Sequence, residues 1–139
     1  MAVTEHLPAF APTVAGLERA AAALRGLLDS RSVSGAPRYN VELAFDEIAA
    51  NVVRHAHATG DVGVEVRFDD DEITLTFEDD GTPFNPCDRP PAPLPSSIEQ
   101  ARIGGLGLPL LSTFLTRMHY ERTPQQHNRL TVGVPARDA

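Results

Sequence analysis

Apolar side chains in the first part of the chain recur at the spacing of amphipathic helices. The pattern predicts a first helix over about residues 12–29, with Pro12 in its first turn, where a missing N–H does no harm. A second helix is predicted over about residues 38–58, ended by Gly60, with residues 30–37 as the loop between them. The apolar positions are Val14, Leu17, Ala21, Leu24 and Leu28 in the first helix and Val41, Phe45, Ile48, Val52 and Ala56 in the second.

After Gly60 the apolar period changes to two, which is the period of a half-buried strand. Apolar and polar residues alternate over residues 62–68 and again over residues 73–78. Three aspartates at residues 69–71 separate the two runs and indicate a hairpin turn. One face of each strand is apolar, so we expect an antiparallel sheet that is covered on one side.

The remainder of the chain is predicted to contain one more helix and two more strands. Residues 86–104 follow neither period and are rich in proline, and so long a stretch within a domain is usually functional or disordered. Residues 106–117 are predicted as helix, and residues 120–123 and 130–134 as strands around a turn. Together the elements predict an α+β fold, a two-layer α/β sandwich with a mixed, mostly antiparallel sheet and helices on one face.

Composition and charge narrow the class of protein. A chain of 139 residues with 42% hydrophobic residues is predicted to form one domain over residues 1–139. The net charge of −7 is not accompanied by a basic cluster, so we expect no direct binding of nucleic acid. No apolar run approaches the ~20 residues of a membrane span, and residues 1–10 do not resemble a signal peptide. The single cysteine, Cys87, is consistent with a cytoplasmic location.

The second helix carries three polar residues at intervals of four, Glu47, Asn51 and His55. Residues at this spacing lie above one another, so the three form a polar stripe beside the apolar one. An asparagine oxygen can bind Mg²⁺ without neutralising it, and a glutamate one turn earlier can act as a general base. The alternative is a solvated helix flank, for which the same spacing is common.

Two further motifs lie at element ends. Asp79 follows the second strand and precedes Gly81, a residue that allows a sharp turn and close approach of the backbone. The glycine run Gly104-Gly105-Leu106-Gly107 precedes an apolar helix, and the free N–H groups of a helix start favour phosphate. Each motif alone also fits a plain acidic turn or a flexible helix start.

In this order, the three motifs resemble the N, G1 and G2 boxes of the GHKL ATPase superfamily, which has the Bergerat-type ATP-binding fold. The resemblance covers about residues 10–135 and is strongest to the small anti-sigma-factor serine kinases of the RsbW and SpoIIAB type. It implies that Glu47 is the catalytic base and that Asn51 is the Mg²⁺ ligand. It also implies a helix-end role near the phosphates of ATP for His55.

The same resemblance implies roles for the other two motifs. Asp79 would accept a hydrogen bond from the adenine amino group, and Gly81 would let the backbone approach the base. Residues 86–104 would form the ATP lid, with phosphate contacts from Arg102 and from the run Gly104, Gly105, Leu106 and Gly107. Relatives often carry Gly-Thr before the last strand, where this chain has Asn128-Arg129, so an adenine contact is not transferred to that position.

The resemblance further implies an ATP-dependent serine/threonine protein kinase that binds a sigma factor and phosphorylates a STAS-domain antagonist. A homodimer is also expected by resemblance. The alternatives are a nucleotide-dependent partner-switch module without phosphotransfer and a plain ATP hydrolase. Phosphate transfer from ATP to a STAS partner distinguishes them.

Overall fold

The computed structural model describes residues 2–85 and 111–137. The predicted lid and the first five positions of the predicted third helix, residues 106–110, lie outside these residues. The described elements, in chain order, are β1 (Val3–Phe10), α1 (Val14–Ser30), α2 (Gly35–Asn51), a π-helical turn (Val52–Ala56), β2 (Val62–Phe68), β3 (Glu72–Asp79), β4 (Arg117–Arg122) and β5 (Asn128–Pro135). Within the described ranges, no helix has the length and apolar character needed to cross a bilayer.

The five described strands form one sheet in the order β1-β2-β3-β5-β4. Each neighbouring pair of these strands is antiparallel, so the sheet is more uniform than the mixed arrangement that the sequence predicted. The pairing of β3 with β5 places Asp79 opposite Asn128. The pairing of β5 with β4 places Asn128 opposite Arg122. The end of β3 therefore lies beside the start of β5 and the end of β4.

The core lies between one face of the sheet and the two helices, which confirms the α+β class. Phe45 of α2 is fully buried, with its ring centroid 6.4 Å from that of Phe10 and 5.8 Å from that of Phe77. The alternate apolar residues of β2, β3 and β5 join this cluster together with Leu24 and Leu28 of α1. The period-two pattern of these strands thus reflects one buried face.

The second helix differs from its predicted bounds at both ends. It begins at Gly35, and Pro37 is buried in its first turn, where the backbone N–H has no helical partner to lose. Its α-helical part ends at Asn51 and continues as the π turn, which His57 closes in the left-handed conformation with φ 55°. The α-helical spacing assumed between Asn51 and His55 therefore does not hold.

The sequence patterns miss one strand and start another too late. The segment Val3–Phe10 was given no element, but it pairs with β2 as an edge strand, with an irregularity between Leu7 and Phe10. Pro8 lies at this irregularity, a position where a strand tolerates the loss of an N–H. The predicted third helix ran to Arg117 and the next strand began at Tyr120, whereas β4 already begins at Arg117.

Candidate functional site

Hydrogen bonds join the end of the second helix to the turn after β3. The carbonyl oxygen of Ala56, the last residue of the π turn, accepts hydrogen bonds from Thr82 N at 2.7 Å and from Thr82 Oγ1 at 3.2 Å. Gly81 packs against the same carbonyl, and a Cβ there would overlap with it. Glycine is therefore required by close approach of two backbones, and the contact brings the first two sequence motifs together.

A cavity of about 330 Å³, counted with the open space at its mouth, lies at this junction. Most of the wall is apolar or aromatic, with polar groups at its inner end. The described lining residues are Ile48, Asn51, Val52, Ala56, Phe77, Asp79, Phe84, Tyr120, Asn128 and Leu130. Apolar and aromatic walls with a few polar groups are typical of small-molecule sites.

Asp79 is the acidic group of this cavity. Its side chain is buried, with a residue exposure of 4%. Its Oδ1 accepts hydrogen bonds from Gly81 N at 2.8 Å and from Asn128 Nδ2 at 3.0 Å. Two donors on one oxygen hold the carboxylate in a defined orientation at the inner end of the cavity.

The neighbouring Asp80 has a different environment. It is exposed, and its carboxylate accepts hydrogen bonds from the backbone N–H groups of Gly60 and Thr59 and from the Thr59 hydroxyl. These bonds, that from Gly60 foremost, lower the pKa of the Asp80 carboxyl. Asp80 thus anchors the loop after the π turn, and Asp79 alone of the two lines the cavity.

Asn51 and Glu47 lie one helical turn apart on α2. Asn51 is 7% exposed and lines the cavity, whereas Glu47 is half-buried and is not among the lining residues. Partial burial raises the pKa of the Glu47 carboxyl, Arg54 opposes the rise, and Asp46 adds to it. A carboxyl group with a raised pKa beside a cavity is a candidate general base.

His55 does not line the cavity and instead packs against one of its walls. The His55 ring lies with its centroid 5.3 Å from that of Phe84, at an interplanar angle of 31°. The structure therefore brings His55 to the same junction as Asn51 and Asp79. Arg102, Gly104, Gly105, Leu106 and Gly107 lie outside the described residues.

Sequence reasoning missed Asn128 as part of the site. Asn128 is 4% exposed and bonds Asp79, the carbonyl oxygen of Thr82 and the backbone N–H of Phe84. Tyr120 and Arg122 of β4 also donate to its side-chain oxygen. The one available signal was that Asn128-Arg129 stands where relatives carry Gly-Thr, just before the last predicted strand. The strand pairing that places Asn128 beside Asp79 was not visible in the sequence.

The Histidine kinase-like ATPase domain family matches residues 10–133. The chain belongs to this family. Membership of an ATPase domain family implies ATP binding, and the buried aspartate with its apolar walls is compatible with an adenine base. The match includes the helix with Glu47 and Asn51 as well as the turn with Asp79 and Gly81.

This chain is similar to a protein named as a kinase and to a chain of a solved complex. The serine/threonine-protein kinase BtrW of Bordetella bronchiseptica is 31% identical over 88 residues, which is 61% of this chain and 62% of BtrW. A chain in the crystal structure of the SiaB–SiaC complex from Pseudomonas aeruginosa superposes with a TM-score of 0.54 at 16% identity. That match covers 96% of this chain and 89% of the other, and it shows a shared fold.

Proposed function

We propose that this protein is an ATP-dependent serine/threonine protein kinase of the anti-sigma partner-switch kind. In this proposal it phosphorylates a serine of a STAS-domain antagonist and sequesters a sigma factor, both in the cytoplasm, where ATP and sigma factors occur together. The observation that carries the proposal is the position of Glu47 one helical turn before Asn51, whose side chain lines the cavity that Asp79 closes.

The cavity supports the placement of an adenine base. Asp79 offers an anionic acceptor to an amino group, and the backbone N–H of Gly81 holds one oxygen of that carboxylate. A guanine would present a carbonyl oxygen where adenine has its amino group, and that oxygen would be repelled by the carboxylate. Phe77, Phe84 and Leu130 supply apolar surface for the ring faces.

The chemistry of Asn51 supports a site for Mg²⁺. Its amide oxygen is a neutral, hard ligand, and Mg²⁺ in phosphoryl-transfer sites is usually held by one or two protein oxygens together with phosphates and water. Within the described residues there is no group of three His, Cys, Asp or Glu side chains suited to a metal. Bound with ATP, the ion would supply charge neutralisation at the phosphates.

Glu47 is proposed as the group that accepts the proton of the attacking serine hydroxyl. Partial burial raises the pKa of the Glu47 carboxyl above its ordinary value of 4.5, so the carboxylate is more basic than a solvated one. A carboxylate with a raised pKa takes up the proton of a hydroxyl more readily than a solvated carboxylate does. The similarity to BtrW, which is named a serine/threonine-protein kinase, agrees with this role.

The proposed protein partners rest on similarity. BtrW is the curated relative, but the alignment spans 62% of its length, so its activity is transferred here as a proposal only. The shared fold occurs in a two-protein complex, that of SiaB with SiaC, which is compatible with a protein rather than a small molecule as the phosphate acceptor. The homodimer stays a prediction.

Two variants separate the proposed roles. We expect Asn51→Ala to weaken the binding of Mg-ATP, because it removes the metal ligand. We expect Glu47→Gln to leave binding within about two-fold of wild type and to reduce transfer to the STAS protein by at least ~10²-fold, the usual scale for a general base. Calorimetric titration measures the first effect, and radiolabelled ATP in a single-turnover assay measures the second.

Either of two results would contradict this assignment. Wild-type transfer by Glu47→Gln would show that Glu47 is not the base. Equal losses of ATP binding in both variants would show that the two residues do not have separate roles. If wild-type protein binds ATP and the partners but transfers nothing, the binding-module alternative replaces the kinase.

A further inference from the structure

The Asn128 side chain at the start of β5 uses its whole hydrogen-bonding capacity at the inner end of the cavity. Its Nδ2 donates to Asp79 Oδ1 at 3.0 Å and to the carbonyl oxygen of Thr82 at 2.8 Å. Its Oδ1 accepts from Phe84 N at 3.1 Å, from the Tyr120 hydroxyl at 2.5 Å and from an Arg122 guanidinium nitrogen at 3.1 Å. An amide offers two N–H donors and one acceptor oxygen, so no donor is left over.

The surroundings allow this amide only one orientation. Both groups facing Nδ2 are oxygens that accept, a carboxylate and a carbonyl. Of the groups facing Oδ1, the backbone N–H of Phe84 and the guanidinium of Arg122 can only donate. A flipped amide would place its NH₂ against these donors and its oxygen against the carboxylate. The orientation is therefore fixed by the chemistry of its neighbours.

The fixed amide determines the orientation of Asp79. Oδ1 of Asp79 is held from two sides, by Asn128 and by the backbone N–H of Gly81. Rotation of the carboxylate about its last bond would break both hydrogen bonds at once. Oδ1 is thus committed to the protein, and Oδ2 is the oxygen available to a ligand in the cavity.

We propose that Asn128 is a positioning residue that sets purine selectivity by holding Asp79 so that one carboxylate oxygen accepts from a 6-amino group. The inference rests on the nucleotide site of the proposed function and goes beyond it in assigning selectivity to the pair rather than to Asp79 alone. A carboxylate free to rotate could turn towards the ring N–H that a 6-oxo purine carries beside its carbonyl. A held carboxylate meets that carbonyl and repels it.

The sharpest test is Asn128→Asp, which keeps the side-chain shape and replaces the donating NH₂ with an oxygen. Two carboxylates about 3 Å apart do not both ionise readily, so the pair takes up a proton as the pH falls. The titratable or charged groups bonded to residue 128 are Asp79 on β3 and Tyr120 and Arg122 on β4, and the helical side of the cavity presents the neutral Asn51.

The expected result has two parts, measured by calorimetric titration with Mg-ATP and with Mg-GTP. At pH 8 the ratio of ATP to GTP affinity falls about ten-fold in Asn128→Asp, the scale of one lost charge-assisted hydrogen bond. Between pH 8 and pH 5.5, the ratio recovers towards that of wild type, because the shared proton restores a donor to Asp79 Oδ1. A merely structural role does not produce this recovery.

Tyr120→Phe provides a second, milder variant, because it removes one donor to Asn128 and keeps the ring in the cavity wall. We expect a two- to five-fold fall in the ratio of ATP to GTP affinity. If Asn128→Asp does not fold, this variant tests the inference in its place. Asn40→Asp, on α2 away from the cavity lining, controls for added charge and should leave the ratio unchanged.

The inference is overturned if the folded Asn128→Asp protein keeps the wild-type ratio, if its loss does not recover at low pH, or if Tyr120→Phe leaves the ratio unchanged. Wild-type protein that binds ATP and GTP equally would overturn it as well. All of these measurements concern nucleotide binding. A failure of phosphate transfer to a STAS protein would therefore contradict the kinase proposal and leave the inference about Asn128 standing.

Discussion

Two neighbouring aspartates have different surroundings and therefore different tasks. Asp79 is buried at the inner end of the cavity, where Gly81 and Asn128 hold one of its oxygens. Asp80 is exposed and bonds the loop at Thr59 and Gly60. The adjacent pair offers a matched comparison in which each variant removes one negative charge from the same turn.

We expect Asp79→Asn to weaken ATP binding by ~1.5–3 kcal/mol, the usual range for a hydrogen bond to a charged group. Asp80→Asn should leave ATP affinity within about two-fold of wild type, because its bonds go to the loop and not to the cavity. Calorimetric titration of the two folded variants measures both values. Similar ATP affinities in the two variants would show that the Asp79 carboxylate does not bind ATP.

Glu47 gives a prediction about stability and pH. Burial raises the pKa of the Glu47 carboxyl, so folding favours its protonated form and the charged form destabilises the native state at neutral pH. We expect Glu47→Gln to have a higher melting temperature than wild type at pH 7. The difference should shrink as the pH falls through the raised pKa and vanish below the ordinary value of 4.5, where both states bind the proton.

Thermal unfolding of wild type and Glu47→Gln across this range of pH measures the effect. A stabilisation that stays the same from pH 7 to pH 4 would show that it does not come from the charge of Glu47. A stabilisation by Glu47→Gln at neutral pH agrees with the proposed role of Glu47 as the general base. Charged groups that are kept partly buried for function commonly lower the stability of the fold.

At the scale of elements, the junction between the π turn and the end of β3 builds the site. The π turn continues the helix after Asn51, and the Ala56 carbonyl accepts hydrogen bonds from Thr82. Single π turns often occur at functional sites in helices. Because both motifs depend on this contact, Gly81 is the position where a small change should disturb the whole site.

We expect Gly81→Ala to destabilise the protein by about 1–3 kcal/mol, because the added methyl group would overlap with the Ala56 carbonyl. The control is Gly26→Ala in the middle of α1, where a Cβ meets no atom within 4 Å. Alanine there should stabilise the helix by about 0.5–1 kcal/mol. Urea unfolding curves measure both changes, and a neutral Gly81→Ala variant would contradict the described packing.

The elements with clean periodicity could be predicted from the sequence, and those without it could not. Strands β2, β3 and β5 have one apolar side, so their patterns follow directly from burial. The pattern also predicts helix α1, but Val14 of the predicted apolar stripe is 68% exposed, and Gly16 and Ala20 are buried instead. β1 is an edge strand interrupted near Pro8, and β4 is mostly exposed, so neither has a complete apolar face. The π turn depends on a tertiary bond to Thr82, which no local pattern encodes.

The residues of the site also divide into those that the sequence could predict and one that it could not. Spacing and chemistry brought Asn51 and Asp79 into consideration, and the structure places both in one cavity wall. Asn128 was outside the reach of sequence reasoning because its significance comes from the register of β3 with β5 and of β5 with β4. The bonds from Tyr120 and Arg122 follow from that register as well.

At the scale of the whole molecule, ATP binding should stabilise the folded protein. A ligand at about a hundred times its dissociation constant adds about 2.7 kcal/mol, provided that it binds only the native state. We expect most of this stabilisation by ATP to be lost when Mg²⁺ is removed with a chelator. In Asn51→Ala, we expect the stabilisation by ATP to be the same with and without Mg²⁺. Melting temperatures with ATP, with and without the metal, measure this. Equal shifts with and without Mg²⁺ in wild type would argue against a metal site at Asn51.

The central claim is that the protein transfers phosphate from ATP to a serine of a STAS-domain partner. The most direct measurement is a single-turnover reaction of the wild-type protein with radiolabelled ATP and the partner, followed by mapping of the modified residue. We expect label on one serine of the partner, dependent on Mg²⁺, and labelling at least ~10²-fold slower with Glu47→Gln under the same conditions. A partner that binds the ATP-loaded protein and never acquires phosphate would contradict the claim.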